Sequence, residues 1–206
     1  MSQNKEKGGG KAQKPITILI GTEGKETEPQ YFNIVINRKR IRERANVKVI
    51  GRLGQHKQLI DRVVTLRALK AKALNIEEQD VECWAVCDRD TMNCTLNELE
   101  EYAAANDVYV AFSDPCFEIF LLQHLTRSAT NLNAKQLGLK ITSELKIINS
   151  KITYNKSNLL WFDELVDSDP KALDRAVQNS NYIEDVGNTP YVTVHKLLQR
   201  LLDMAV

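Results

Sequence analysis

The chain has 206 residues, 43% of them hydrophobic and 27% charged, and a net charge of +1. That is enough apolar material for one α/β domain with an elaboration. No apolar run reaches eighteen residues and Met1-Ser2-Gln3-Asn4-Lys5 opens no apolar signal core, which argues against a membrane span and for a cytoplasmic chain.

Residues 1–14 hold three consecutive glycines, four lysines and, past Met1, no large apolar residue, so they read as a flexible basic arm. Ile16-Thr17-Ile18-Leu19-Ile20 is the first expected strand, and Pro29 then opens a short helix carrying Tyr31, Phe32, Ile34, Val35 and Ile36. Val47 to Ile50 reads as a second strand. Residues 55–74 show apolar side chains near helical spacing, with Arg and Lys between them. A third strand follows at 81–87, a helix at 95–105, a fourth strand at 108–112 and a Pro115-initiated helix to Leu125. Strands alternating with helices over 16–125 predict a parallel sheet flanked by helices, in a domain spanning 15–126. Residues 127–206 read as a mainly helical elaboration packed on it, with helices near 134–149, 157–166, 170–183 and 191–203.

Cysteines 83, 87, 94 and 116 include no CxxC. Cys83 and Cys87, four apart on a strand, are separated by roughly 13 Å and cannot share a metal or a disulfide. They are expected as buried reduced thiols, in keeping with a reducing compartment. The small net charge hides an asymmetry. Residues 36–67 carry ten Lys or Arg against Glu43 and Asp61, a net +8, and residues 77–101 carry nine acids against Arg89, a net −8. The two segments either face each other or hold a polyanion across an acidic site, with Arg38, Arg40, Arg42, Arg52 and Lys57 as the expected nucleic-acid contacts.

Three acids fall where ligands of parallel sheets bind, at the carboxyl ends of strands: Glu23 after the first, and Asp88 and Asp90 after the third. Gly24 permits the tight turn that carries Glu23 over the sheet edge, and Glu28 reads as a cap of the next helix. Asp88 and Asp90 are alternate residues and project to one side. Hard oxygen donors at this spacing suit Mg²⁺ or Mn²⁺. Ser113-Asp114-Pro115-Cys116-Phe117-Glu118 follows the fourth strand; Ser113 is placed to meet a phosphate and Glu118 to add an acid, although a helix start with Ser113 near its N-cap and Pro115 at N1 explains the same residues. His124, six residues on, reads first as a polar group lining the core. His56 and His195 are scattered, no nucleophile elbow is present, and Gly51-Arg52-Leu53-Gly54 lacks the ending of a nucleotide-binding P-loop.

Glu23-Gly24 with Thr27-Glu28, Asp88-Arg89-Asp90, and Ser113-Asp114-Pro115-Cys116-Phe117-Glu118, in this order at strand ends, resemble the RloB-like family, a branch of the Toprim superfamily. Weaker likeness continues through Tyr154 and Lys156 to Asn188-Thr189-Pro190-Tyr191-Val192-Thr193-Val194-His195. The resemblance implies a Toprim-like α/β domain and a metal-dependent nuclease. In it Glu23, Asp88 and Asp90 hold Mg²⁺ or Mn²⁺, Glu118 assists, and Glu23 is a candidate proton carrier. It further implies the toxin of a bacterial antiphage, abortive-infection system acting beside an ABC- or SMC-like ATPase. Expected partners are thus nucleic acid (tRNA, other RNA or DNA), that ATPase, and a second copy of the chain. Relatives commonly carry asparagine where this chain has Asp114, which implies an added negative charge beside the site. A nonenzymatic adaptor docked on the ATPase and a housekeeping RNA-processing nuclease are the rival readings.

Overall fold

A computed structural model describes residues 15–89, 92, 94–186 and 190–206. The arm expected at 1–14 lies outside them, as does Asp90. Strands β1 (Ile16–Thr22), β2 (Ala45–Ile50), β3 (Val81–Asp88) and β4 (Tyr109–Asp114) run parallel in the order β2-β1-β3-β4. A fifth, β5 (Tyr191–Val192), joins the β4 edge antiparallel. The described helices are α1 (Thr27–Arg38), α2 (His56–Leu74), α3 (Leu96–Ala104), α4 (Glu118–Gln123), α5 (Ala134–Ile148), α6 (Leu160–Ser168), α7 (Ala172–Val186) and α8 (Val194–Leu202).

Successive strand residues point to opposite faces, and here both faces are apolar. Leu19, Cys83, Ala85, Cys87 and Phe112 pack with Leu59, Ile60 and Val63 of α2 and Leu99 of α3. Ile18, Ile20, Val47, Trp84, Val86 and Ala111 face the other way, toward α1 and α4 to α8. Burial on both faces is why these strands read as continuous apolar runs rather than alternating ones. The residues after 126 share the second of these cores: Leu137, Ile141, Phe162, Leu197 and Leu201 belong to the same cluster as Ile18 and Phe32.

Within that core Tyr31 and His124 are fully buried, and the Tyr31 hydroxyl meets His124 Nε2 at 3.1 Å. His124 Nδ1 lies 3.2 Å from the Phe120 carbonyl. The carbonyl can only accept, so Nδ1 carries the proton and Nε2 accepts from Tyr31. Burial pushes the imidazole down to about 3, so it stays neutral. His124 is thus a satisfied core group, with Phe117, Phe120 and Phe162 ringed around the same Tyr31.

Two stretches depart from the sequence expectation. Residues 191–203 begin as strand rather than helix. Thr193 N donates to the Phe112 carbonyl at 2.8 Å and Phe112 N donates to Thr193 Oγ1 at 2.9 Å, so sheet-edge pairing claims the backbone before α8 can start. The same pairing, Ser113 with Val192 and Asp114 with Tyr191, extends β4 through Asp114 and delays α4 to Glu118. Ser113 therefore sits in a strand rather than at an N-cap, and Pro115 precedes the helix instead of opening it.

Candidate active site

The β1 turn is built against β3. Glu23 N donates to the Val86 carbonyl at 3.0 Å, carrying the β1–β3 ladder one residue beyond the strand and setting Glu23 beside the end of β3. Gly24 is required by space: a Cβ there would come within 1.9 Å of Glu28 Oε2. Its carbonyl accepts from Thr22 Oγ1 at 2.8 Å and from Arg52 N at 3.1 Å. Gly51 completes the approach, since its Cβ would stand 2.9 Å from the Gly24 carbonyl oxygen. Glu28, expected as a cap, is instead a buried carboxylate in the first turn of α1, pressed onto this glycine.

Asp88 ends β3 opposite Ser113. With Glu23, Glu28, Gln55 and Lys156 it lines a cavity of about 440 Å³ at the carboxyl end of the sheet. A larger groove of about 1010 Å³ crosses the amino ends of the strands, past Ile16, Val81 and Tyr109. The smaller cavity is the better candidate, because parallel sheets bind ligands at their carboxyl ends and there the half-buried Glu23 and Asp88 meet the buried Glu28. Glu118, buried at the start of α4, joins the group through Lys156, whose Nζ lies 3.3 Å from its Oε1.

Lys156 and Tyr154 come from the loop between α5 and α6, which α1 and α5 hold in place. Thr27 Oγ1 donates to the Lys156 carbonyl at 2.8 Å and Gln30 Nε2 to the Ser157 carbonyl at 3.0 Å. Tyr154 N donates to Thr142 Oγ1 at 3.1 Å, and its ring lies on Gly138, one turn earlier on α5. Its hydroxyl donates to Glu118 Oε1 at 3.0 Å.

These acids perturb one another. Burial, then the fields of Glu28, Glu118 and Glu23, pushes Asp88 well above the ordinary carboxylate range. Burial also raises Glu28, against the pull of Lys156. For Glu118 burial acts in the same sense but is outweighed by Lys156, the Cys116 thiol and Tyr154, so it lies below the usual range and stays ionised. Asp88 Oδ1 and Glu118 Oε2 are shielded from solvent and have no hydrogen-bond partner. Buried acceptors of this kind are costly unless something satisfies them.

A divalent cation fits this donor set. The donors are hard oxygens, they carry excess negative charge, and two of them lack partners. Asp88 and Glu23 would hold the ion, with Glu118 within the same group. Among the described residues, which leave out Asp90, no three His, Cys, Asp or Glu side chains form a group that could by itself hold a metal ion.

The other expected site residues divide. Arg52 and Lys57 follow β2 at the carboxyl end, Arg52 bonded to the Gly24 turn and Lys57 Nζ 5.3 Å from the Tyr102 ring centroid. Arg38, Arg40 and Arg42 lie a helix length away, about 18 Å along α1 at 1.5 Å per residue, near the amino end of the sheet. There Arg38 binds Asp163 and Asp167 of α6, Arg40 binds Glu43, and Arg42 binds Asn33 and Asn37. The expected single basic track is therefore not formed, because α1 carries its first half away from the carboxylates. Ser113 is fully buried, with Oγ lacking a partner, and is not on a surface that a nucleic acid could touch. The charge of Asp114 is met by Arg89 Nη1 at 2.6 Å, so it adds no net negative charge at the site. His56 Nε2 lies 3.3 Å from the Asp88 carbonyl and tethers the start of α2 to the end of β3.

A mostly parallel sheet whose carboxyl end gathers carboxylates around an open cavity defines an α/β protein with an acid-lined cavity. The chain belongs to the RloB-like protein family, whose model matches residues 18–201. No curated protein and no solved structure matches it. Among the described residues no helix is long and apolar enough to cross a membrane. The cysteines are free; Cys83, Cys87 and Cys116 are buried as expected while Cys94 is only partly so, and burial raises Cys83 to about 11.

Proposed function

We propose that this chain is a Mg²⁺- or Mn²⁺-dependent nuclease of Toprim type that cleaves phosphodiester bonds in nucleic acid as the effector of a bacterial antiphage system, alongside a partner ATPase. The observation that carries the reading is the convergence of Glu23, Glu28 and Asp88 on one cavity, with Glu118 behind it on Lys156 and Asp88 driven above its usual range by burial and by the other three acids. A bound divalent ion would supply Lewis-acid polarisation of the phosphate and a more acidic water. Asp88 and Glu23 hold that ion, with Asp90 the remaining expected donor. Glu23, on a turn fixed by Gly24 and Gly51, would serve either as that ligand or as the acceptor of a proton from an attacking water. Glu118 Oε1 meets Tyr154 and Lys156, and its charge adds to those of Glu28 and Glu23 on Asp88. Arg52 and Lys57, at the same end, offer cations to the phosphates flanking the scissile one.

Purified chain should cut at least one of tRNA, single-stranded RNA and plasmid DNA when Mg²⁺ or Mn²⁺ is added, and none in EDTA. Absence of cleavage across all three with both metals, in a preparation that binds Mn²⁺, would count against the nuclease reading.

A further inference from the structure

The sequence assigns Lys156 no role beyond a place in the family likeness, and its surroundings set it apart. Its Nζ is 3.3 Å from Glu118 Oε1, and Glu28 and Asp88 also act on it. It lines the cavity directly, with a side chain that is 66% exposed. Lys25, the other lysine along the cavity, pairs instead with Glu26 at 3.5 Å at the rim. Lys156 thus stands among buried carboxylates while its own stem remains free to move. The loop beneath it does not depend on that side chain, because Thr27 and Gln30 hold it by the carbonyls of Lys156 and Ser157, and Thr142 by the amide of Tyr154.

We propose that Lys156 is a built-in counter-cation of the acidic cavity, one that neutralises Glu118 until a divalent ion enters and then swings to a phosphate oxygen of the substrate. The proposal rests on the metal-site reading above. Two cations sharing one carboxylate cluster repel, so each weakens the other's binding, and by linkage removal of one strengthens the other. Glu118 offers both halves of the exchange: Oε1 is held by Lys156 and Tyr154, and Oε2 is shielded without a partner. A lysine ammonium is a point charge on a flexible stem, suited to a change of partner where an arginine fork is not.

The test is Mn²⁺ titration calorimetry on the full chain, together with Mn²⁺-dependent hydrolysis of bis(p-nitrophenyl) phosphate, for wild type, Lys156→Met and Tyr154→Phe. Lys156→Met should bind Mn²⁺ more tightly, by about fivefold or more, while KM for the phosphodiester rises. Tyr154→Phe removes a neutral hydrogen bond to the same oxygen, controls for loss of Glu118 positioning, and should not tighten Mn²⁺. If wild type binds Mn²⁺ and Lys156→Met binds it equally or more weakly, the counter-cation role is overturned and the metal site stands. If wild type takes up no Mn²⁺ at all, the metal-site reading fails and this proposal fails with it.

Discussion

Both ends of the sheet carry clusters of charged side chains and treat them oppositely. At the amino end the charges close on one another. Arg38 spans Asp163 and Asp167, Arg67 meets Glu78 and the Asn106 carbonyl, and Arg200 makes three bonds to Glu82. At the carboxyl end three carboxylates, Glu118, Glu28 and Asp88, act on Lys156, and Asp88 Oδ1 and Glu118 Oε2 are shielded without partners. Charge density therefore identifies neither end. What separates them is satisfaction: paired surface ions contribute little and ask for nothing, whereas buried like charges raise one another's pKa and cost stability that only a ligand can return.

The sharpest way to break this comparison is Asp88→Asn. It should cut metal-dependent cleavage by at least about 100-fold, since even residues that only support metal ligands cost tenfold to a hundredfold. The same change should make the metal-free chain more stable at neutral pH. Asp88 has a raised folded-state pKa, so its contribution to stability is fully present below the ordinary carboxylate value of 3.8 and is lost as pH rises through the folded value. At neutral pH the upward shift is a net cost to folding, and the amide removes it. Thermal melts with and without Mn²⁺ check both halves: the variant should melt higher without metal and lose the wild-type upward shift with it. A variant that melts lower in EDTA would mean that the carboxylate is structural.

Much of this was legible in the sequence because it depends on strand ends. Abrupt stops after Ile20 and Cys87 placed Glu23 and Asp88 at the carboxyl edge, and Glu118 followed from the stretch after the fourth strand. Glu28 was misassigned because a first-turn glutamate is the ordinary N-terminal charge of a helix; only the packing of Gly24 against its carboxylate reveals the burial. Lys156 and Tyr154 lie over a hundred residues from Glu23, in a loop with no periodicity, so only the likeness to a family pointed to them. The basic run from Arg38 to Lys57 misled for a geometric reason. A segment continuous in sequence is divided by α1 and β2 between opposite ends of the sheet, and one-dimensional charge counting has no access to that division.

His124 sharpens the contrast from the core side, because it is buried yet satisfied. Its folded-state pKa is depressed to about 3 from 6.5, so its contribution to stability is present above 6.5 and lost as pH falls through the folded value. Unfolding in that window takes up one proton at this position, adding a slope of up to about 1.4 kcal/mol per pH unit. His124→Gln should reduce the acid sensitivity of urea-denaturation midpoints between pH 6 and 4 relative to wild type, while leaving Mn²⁺ affinity at neutral pH unchanged. Equal pH slopes for the two proteins would show that His124 is not held neutral.

The smallest effect belongs to the arginines at the amino end, and it is informative by being small. Reversing Arg38, Arg40 and Arg42 to glutamate breaks their pairing with Asp163, Asp167 and Glu43, which are solvent-exposed partners, so only a modest, salt-dependent loss of stability is expected. Nucleic-acid affinity should keep its salt dependence, because these side chains sit a helix length from the carboxylates and are occupied with protein partners. Arg52→Ala with Lys57→Ala, at the cavity end, should instead lower the slope of log affinity against log salt by roughly one for each phosphate that is no longer neutralised. Measured on one labelled oligonucleotide across a salt series, a flattened slope in the triple variant with none in the double would reverse the assignment. It would place the substrate track at the amino end, away from the acids expected to cut it.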